Sequence, residues 1–243
     1  MELLNVFCLP FAGASKYSYQ KFAQVAPRKL NIIPYELPGR GARYKEALLT
    51  NMENMVDDFL SNMLSRLNTP YVIYGHSMGA LLGYMITKKL ADNNLKLPKH
   101  LFLSGRGGPS VSGNYPHRSS LPKKEFIKNL QELGGSPDKV LEDNGLMEIF
   151  EPILRADFKS IESYQYATAG PLEVSITCLI GTEEATTYEE ALAWRKETSL
   201  SFCIKEFPGK HFFIFDHAKE IVNIIQQFGL EDFTIPVAPL NNK

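Results

Sequence analysis

A serine stands between two glycines in Gly75-His76-Ser77-Met78-Gly79, and the flanks of this pattern give it meaning. Ahead of it, Tyr71-Val72-Ile73-Tyr74 is apolar and β-prone; behind it, Ala80 to Leu90 has helical spacing. A serine on a tight strand-to-helix turn is held in a strained backbone with its hydroxyl raised above the end of a sheet. The residues two before and two after it then crowd each other and must be small. Gly75 and Gly79 meet that need. The helix adds its N-terminal dipole, which favours developing negative charge. The chemistry expected at Ser77 is nucleophilic attack on a carbonyl.

Such a hydroxyl is a poor nucleophile until a general base takes its proton. The chain order for this kind of site is serine, then acid, then histidine near the C-terminus. Of five histidines, His76 lies inside the turn, where its ring should pack beside it. His100 starts a strand at the far end, His117 falls in a polar stretch, and His217 lies within the last helix. His211, in Phe207-Pro208-Gly209-Lys210-His211-Phe212-Phe213, occupies the loop where the base must be. The acid should follow Cys178-Leu179-Ile180-Gly181, where Thr182-Glu183-Glu184 supplies no aspartate. Glu184 is the expected carboxylate and Glu183 the alternative. Glutamate can orient an imidazole and stabilise its charged form as aspartate does. An oxyanion needs two converging N–H groups. Met78 should give one, and the small-residue loop Pro10-Phe11-Ala12-Gly13-Ala14 the other, from Ala12 or alternatively Phe11.

The elements that must position these groups alternate between strand-like and helix-like, predicting an α/β fold with a mostly parallel central sheet and helices on both faces. Strands are expected at 5–9, 31–36, 71–74, 100–104, 174–180 and 201–207, and helices at 17–26, about 51–67, 80–90 and 213–228. Thr50-Asn51-Met52-Glu53 has the form of a capping box with Thr50 at the N-cap. From 106 to 170 the alternation stops, and helices at 123–133, 138–143 and 146–166 read as an inserted lid. Residues 1–105 and 171–230 then form the core and 231–243 a C-terminal tail.

The 44% apolar and 22% charged residues are those of a globular protein, and a net charge of −1 excludes a strongly basic nucleic-acid binder. Cys8, Cys178 and Cys203 lie in apolar β-like runs without ligand spacing, so buried free thiols and no metal are expected. With no signal-like N-terminus and no membrane-spanning apolar run, a cytoplasmic monomer without membrane contact is the expectation.

With these segments in place, the chain resembles the type II thioesterases that serve non-ribosomal peptide and polyketide synthases. The resemblance rests on Cys8-Leu9-Pro10-Phe11-Ala12-Gly13, Glu36-Leu37-Pro38-Gly39-Arg40-Gly41, Tyr74 to Gly79, Leu133-Gly134-Gly135, Leu154-Arg155-Ala156-Asp157-Phe158 and Phe207 to Phe213. It implies an α/β-hydrolase fold with a helical lid, with Ser77 as nucleophile and His211 as base. It also implies hydrolysis of acyl or aminoacyl thioesters on the phosphopantetheine arm of carrier proteins, clearing misprimed synthases. No cofactor is expected beyond that arm of the partner. The family's usual acid is an aspartate where this chain has Glu184. Asp157 matches a recurring family aspartate, and its lid position suggests a structural link to Arg155. Carrier proteins are usually acidic, so Arg40, Arg43, Lys45, Arg118, Lys123 and Lys124 are candidates for a basic rim. Two other readings fit the same residues: an esterase or lipase on free small molecules, and a non-catalytic module that docks on a synthase.

Overall fold

The computed structural model describes residues 3–111, 117–135 and 138–230. The tail at 231–243, the Ser136-Pro137 link and part of the turn-rich 110–120 stretch lie outside them. Six strands form one sheet: β1 (Leu4–Leu9), β2 (Leu30–Pro34), β3 (Tyr71–His76), β4 (His100–Ser104), β5 (Ser175–Gly181) and β6 (Phe202–Phe207). Their order is β2-β1-β3-β4-β5-β6, and every pairing is parallel. All the strands therefore end on the same edge, where the loops that carry function in such sheets gather.

Helices cover both faces. Alternation along the strands sends Phe7, Leu9, Ile73, Leu101 and Leu103 to one face, under α2 (Met52–Met63) and α3 (Met78–Asp92). Val6, Cys8, Val72, Tyr74 and Phe102 go to the other, with α1 (Gln20–Val25) and α8 (Ala218–Leu230). Every residue of β3 is buried, as a central strand covered on both sides requires. Between β4 and β5 come α4 (Lys123–Leu133), α5 (Asp138–Glu142) and α6 (Asn144–Glu162), which pack around their own cluster of Phe126, Leu130, Leu141, Met147, Leu154 and Phe158. The short α7 (Tyr188–Leu192) follows β5.

The expected elements are present with shifted ends. Helix α2 is capped by Asn51 rather than Thr50; the Asn51 side chain accepts from the N–H groups of Glu53 and Asn54 at 2.7 and 3.3 Å. That start places Met52, Met55, Val56 and Phe59 together against the sheet. The first helix opens as a 3-10 turn over Lys16–Tyr19, where the Ser15 and Ser18 side chains cap each other's N–H groups. Of the three thiols, Cys8 and Cys178 are buried as expected. Cys203 is only half-buried, because β6 is an edge strand.

Candidate active site

Ser77 has φ 54° and ψ −112°, a strained turn between β3 and α3. Its N–H donates to the Ser104 carbonyl at 2.7 Å, tying the turn to the neighbouring strand end. A Cβ on residue 75 would lie 2.0 Å from the Gly79 carbonyl oxygen, and one on residue 79 would lie 2.5 Å from that of Leu9. The two glycines are required by backbone contact, which cannot yield as a side chain would. Gly79→Ala is accordingly expected to cost about 1–3 kcal/mol, read as a lower urea midpoint. An unchanged midpoint would contradict this packing.

His211 sits in the loop between β6 and α8, and Glu184 in the loop after β5. The His211 Nδ1 and Glu184 Oε2 are 2.8 Å apart, with the Glu184 side chain fully buried and that of His211 14% exposed. The other carboxylate oxygen of Glu184 accepts the Gly181 N–H at 2.8 Å, so the acid is anchored on its own strand end. The two loops are strapped together: Thr182 N–H donates to the Phe207 carbonyl and Glu183 N–H to that of Gly209, at 2.8 and 2.9 Å. Glu183, the alternative carboxylate, is exposed to solvent. A carboxylate at Nδ1 holds the ring proton there and leaves Nε2 as a base. That nitrogen belongs to a residue lining the same 350 Å³ cavity as Ser77.

The remaining histidines have other partners, although His117 lines the same cavity and the His76 ring touches that of His211. His100 is buried against Thr177 at the opposite strand end, and His117 is exposed. His217 lies just before α8 rather than within it; its Nε2 lies 3.0 Å from the Pro208 carbonyl, steadying the loop that carries His211. His76 is fully buried, with Nδ1 3.0 Å from the Ser104 hydroxyl and its ring 4.8 Å from that of His211. Burial, helped by the nearby His211, pushes its pKa well below the usual histidine value.

The Ala12 loop is held from several directions. Gly13 N–H donates to Asp157 Oδ2 at 2.8 Å and Ala14 N–H to the Phe11 carbonyl at 2.9 Å. Among the described residues, the N–H groups of Ala12 and Met78 make no backbone hydrogen bond in turns, loops or caps. Asp157 corrects an expectation: its partner is Arg40, through two contacts of 2.6 and 2.7 Å, and not Arg155. Residues two apart on a helix do not face each other, a signal that was available from spacing alone. Arg155 instead pairs with Glu151 at 2.8 Å and lies over the Phe126 ring. Removing one partner of a buried pair such as Arg40–Asp157 costs about 3–5 kcal/mol.

Arg40, only 3% exposed, therefore cannot belong to a basic rim, and Arg43 is paired with Asp58 and Glu46. Arg118 lines the cavity, where Glu162, Tyr164 and Tyr166 also line the wall. Glu162, Tyr164 and Tyr166 were missed in the sequence because they lie in the helical insertion, with no motif to mark them. Burial pushes the Tyr164 phenol up to about 12, leaving it neutral.

A family model described as "Thioesterase domain" matches residues 5–228. This chain belongs to the thioesterase family. Among its relatives, the gramicidin S biosynthesis protein GrsT of Aneurinibacillus migulanus is 34% identical, over 91% of this chain and 87% of its own. The structure of ClbQ, from the colibactin non-ribosomal peptide and polyketide pathway, is similar with a TM-score of 0.87. It is 29% identical and covers 93% of this chain and 97% of its own. BorB, a type II thioesterase from the borrelidin biosynthetic cluster, has a TM-score of 0.85 at 27% identity, over 93% of this chain and 92% of its own. The thioesterase is a hydrolase of the α/β-hydrolase fold, as the strand–turn–helix at Ser77 leads one to expect. Among the described residues, no helix is long and apolar enough to cross a membrane, and no group of metal-ligating side chains is gathered.

Proposed function

We propose that this thioesterase hydrolyses acyl or aminoacyl thioesters from the phosphopantetheine arm of carrier proteins, with Ser77 as nucleophile, His211 as base and Glu184 as acid. The observation that carries the residue roles is the buried Glu184–His211 contact of 2.8 Å beside the cavity that Ser77 lines. His211 takes the Ser77 proton as the hydroxyl attacks the thioester carbonyl. The oxyanion is met by the N–H groups of Met78 and Ala12. The pantetheine sulfur then leaves with the proton from His211. Water, deprotonated by the same imidazole, attacks the acyl-serine; collapse returns the proton to Ser77 and releases the acid. All proton transfers run through side chains of the chain itself, and no cofactor is required.

The carrier-bound substrate is supported by relatives from peptide and polyketide assembly lines. The helices at 106–170 would act as a lid that excludes water from the acyl-enzyme. The lack of an aspartate no longer favours a non-catalytic docking module, because Glu184 reaches the imidazole. Acetyl-, aminoacyl- and longer acyl-carrier proteins should be hydrolysed in preference to simple esters of the same acids. Equal kcat/KM for the free esters would favour a small-molecule esterase.

With Arg40 and Arg43 internally paired, the basic rim reduces to Lys45, Arg118, Lys123 and Lys124. Lys123 lies 3.7 Å from Glu151, so Lys124 is the freer charge of that pair. Charge reversal at both lysines is expected to weaken binding of loaded carrier by several-fold at low salt, and less at high salt. Unaltered affinity in a titration at low salt would remove them from the interface.

A further inference from the structure

We propose that Asp157 is a positioning residue for the oxyanion loop, so that the oxyanion hole is complete only while α6 is docked. The proposal rests on the reading of Ala12 as an oxyanion donor. Asp157 is fully buried on α6, and one of its oxygens accepts the Gly13 N–H at 2.8 Å, one residue beyond Ala12. Arg40, from the loop after β2, holds both Asp157 oxygens and also donates to the Ala14 carbonyl at 3.4 Å. The loop is thus gripped at an N–H and at a carbonyl by an ion pair reaching from two other elements. Leu154, nearly one turn before Asp157, closes the same gap: a Cβ on residue 13 would lie 2.6 Å from its methyl carbon.

An apolar pair of similar volume would hold α6 to the core about as well as a buried ion pair does. What it cannot do is accept the Gly13 N–H or donate to the Ala14 carbonyl. The charges are therefore matched to fixing loop peptides, and catalysis by preorganised donors depends on such fixing. Asp157 touches neither substrate nor Ser77, and acts through the loop alone.

The test uses the full chain, a small acyl thioester and a trifluoromethyl ketone whose serine adduct places an oxyanion in the hole. Arg40→Met with Asp157→Leu preserves the volume of the pair and removes its polar contacts. This variant should lose about tenfold in kcat, with KM little changed, and lose ketone affinity by a similar factor. Asp157→Asn, which retains an acceptor for Gly13, should recover part of both. Incorporating glycolate in place of Gly13 deletes only that N–H, keeps the ion pair, and should reproduce the loss even where the double variant does not fold. Full kcat and full ketone affinity in the glycolate variant would overturn the proposal. A third arm separates it from its premise: lactate at position 12 removes the Ala12 N–H itself. No loss there refutes Ala12 as a donor, whereas loss at 12 without loss at 13 refutes only the role of Asp157.

Discussion

Ser77→Ala should lower kcat on an acyl-carrier thioester by about 10⁴-fold or more, with binding of the loaded carrier close to that of the parent. The loss is large because the hydroxyl is the atom that bonds to the acyl carbon; without it only the oxyanion donors and binding remain. The fold should tolerate the change, since Ser77 holds its neighbours through its backbone: the N–H bonds Ser104 and the carbonyl accepts from Ala80 at 3.1 Å. Single-turnover hydrolysis and a carrier-binding titration on the same sample check both halves. Turnover at the parental rate in a folded variant would end the serine assignment, and a fluorophosphonate probe that labels some other residue would say where the nucleophile is.

Glu184→Gln comes next in size, with an expected loss of about 10³–10⁴ in kcat. The reason is directional. One side-chain oxygen of Glu184 accepts the Gly181 N–H and the other faces His211 Nδ1. In glutamine, the carbonyl oxygen must stay with the Gly181 N–H, so the amide NH2 turns toward the imidazole. It then donates to Nδ1, drives the ring proton onto Nε2, and removes the lone pair that accepts the serine proton. The same replacement at the solvent-facing Glu183 should leave kcat within a factor of about two. Glu184→Asp should fall between, because a shorter side chain does not reach both the Gly181 N–H and the imidazole from an unmoved backbone. Stopped-flow hydrolysis on the three variants, with melting curves to exclude misfolding, decides the matter; equal rates for the glutamine variants at 183 and 184 would return the acid to an open question.

The candidate site was readable in advance to the extent that short-range physics dictates its geometry. The turn at Ser77 announces itself through two glycines, an apolar run before and a helix after, all within a few residues. His211 could be found by elimination because its loop joins the last strand to the last helix. Glu184 was expected ahead of Glu183 by reach; in the structure it is buried 2.8 Å from the imidazole, whereas Glu183 is exposed. Long-range pairings were not accessible in the same way. Nothing near Asp157 in sequence points to Arg40, and the nearby Arg155 offered a false partner. The cavity wall at Glu162, Tyr164 and Tyr166 depends on how the insertion packs over the sheet, which single-sequence periodicity does not encode. Helix starts shifted locally, as where Asn51 rather than Thr50 accepts from the first free N–H groups of α2.

Each proposed contribution to the chemistry hangs from a different strand end: Ala12 after β1, Ser77 and Met78 after β3, Glu184 after β5, and His211 after β6. Side chains alternate with a period of two along a strand, so sliding one strand by two residues would still send greasy groups inward. It would also carry that strand's contribution about 7 Å away from the others. Such a misthreaded chain would have ordinary circular dichroism and a respectable melting curve, yet no turnover. For this architecture, enzymatic rate is the sharper witness to correct assembly of the sheet than any spectroscopic measure of its content.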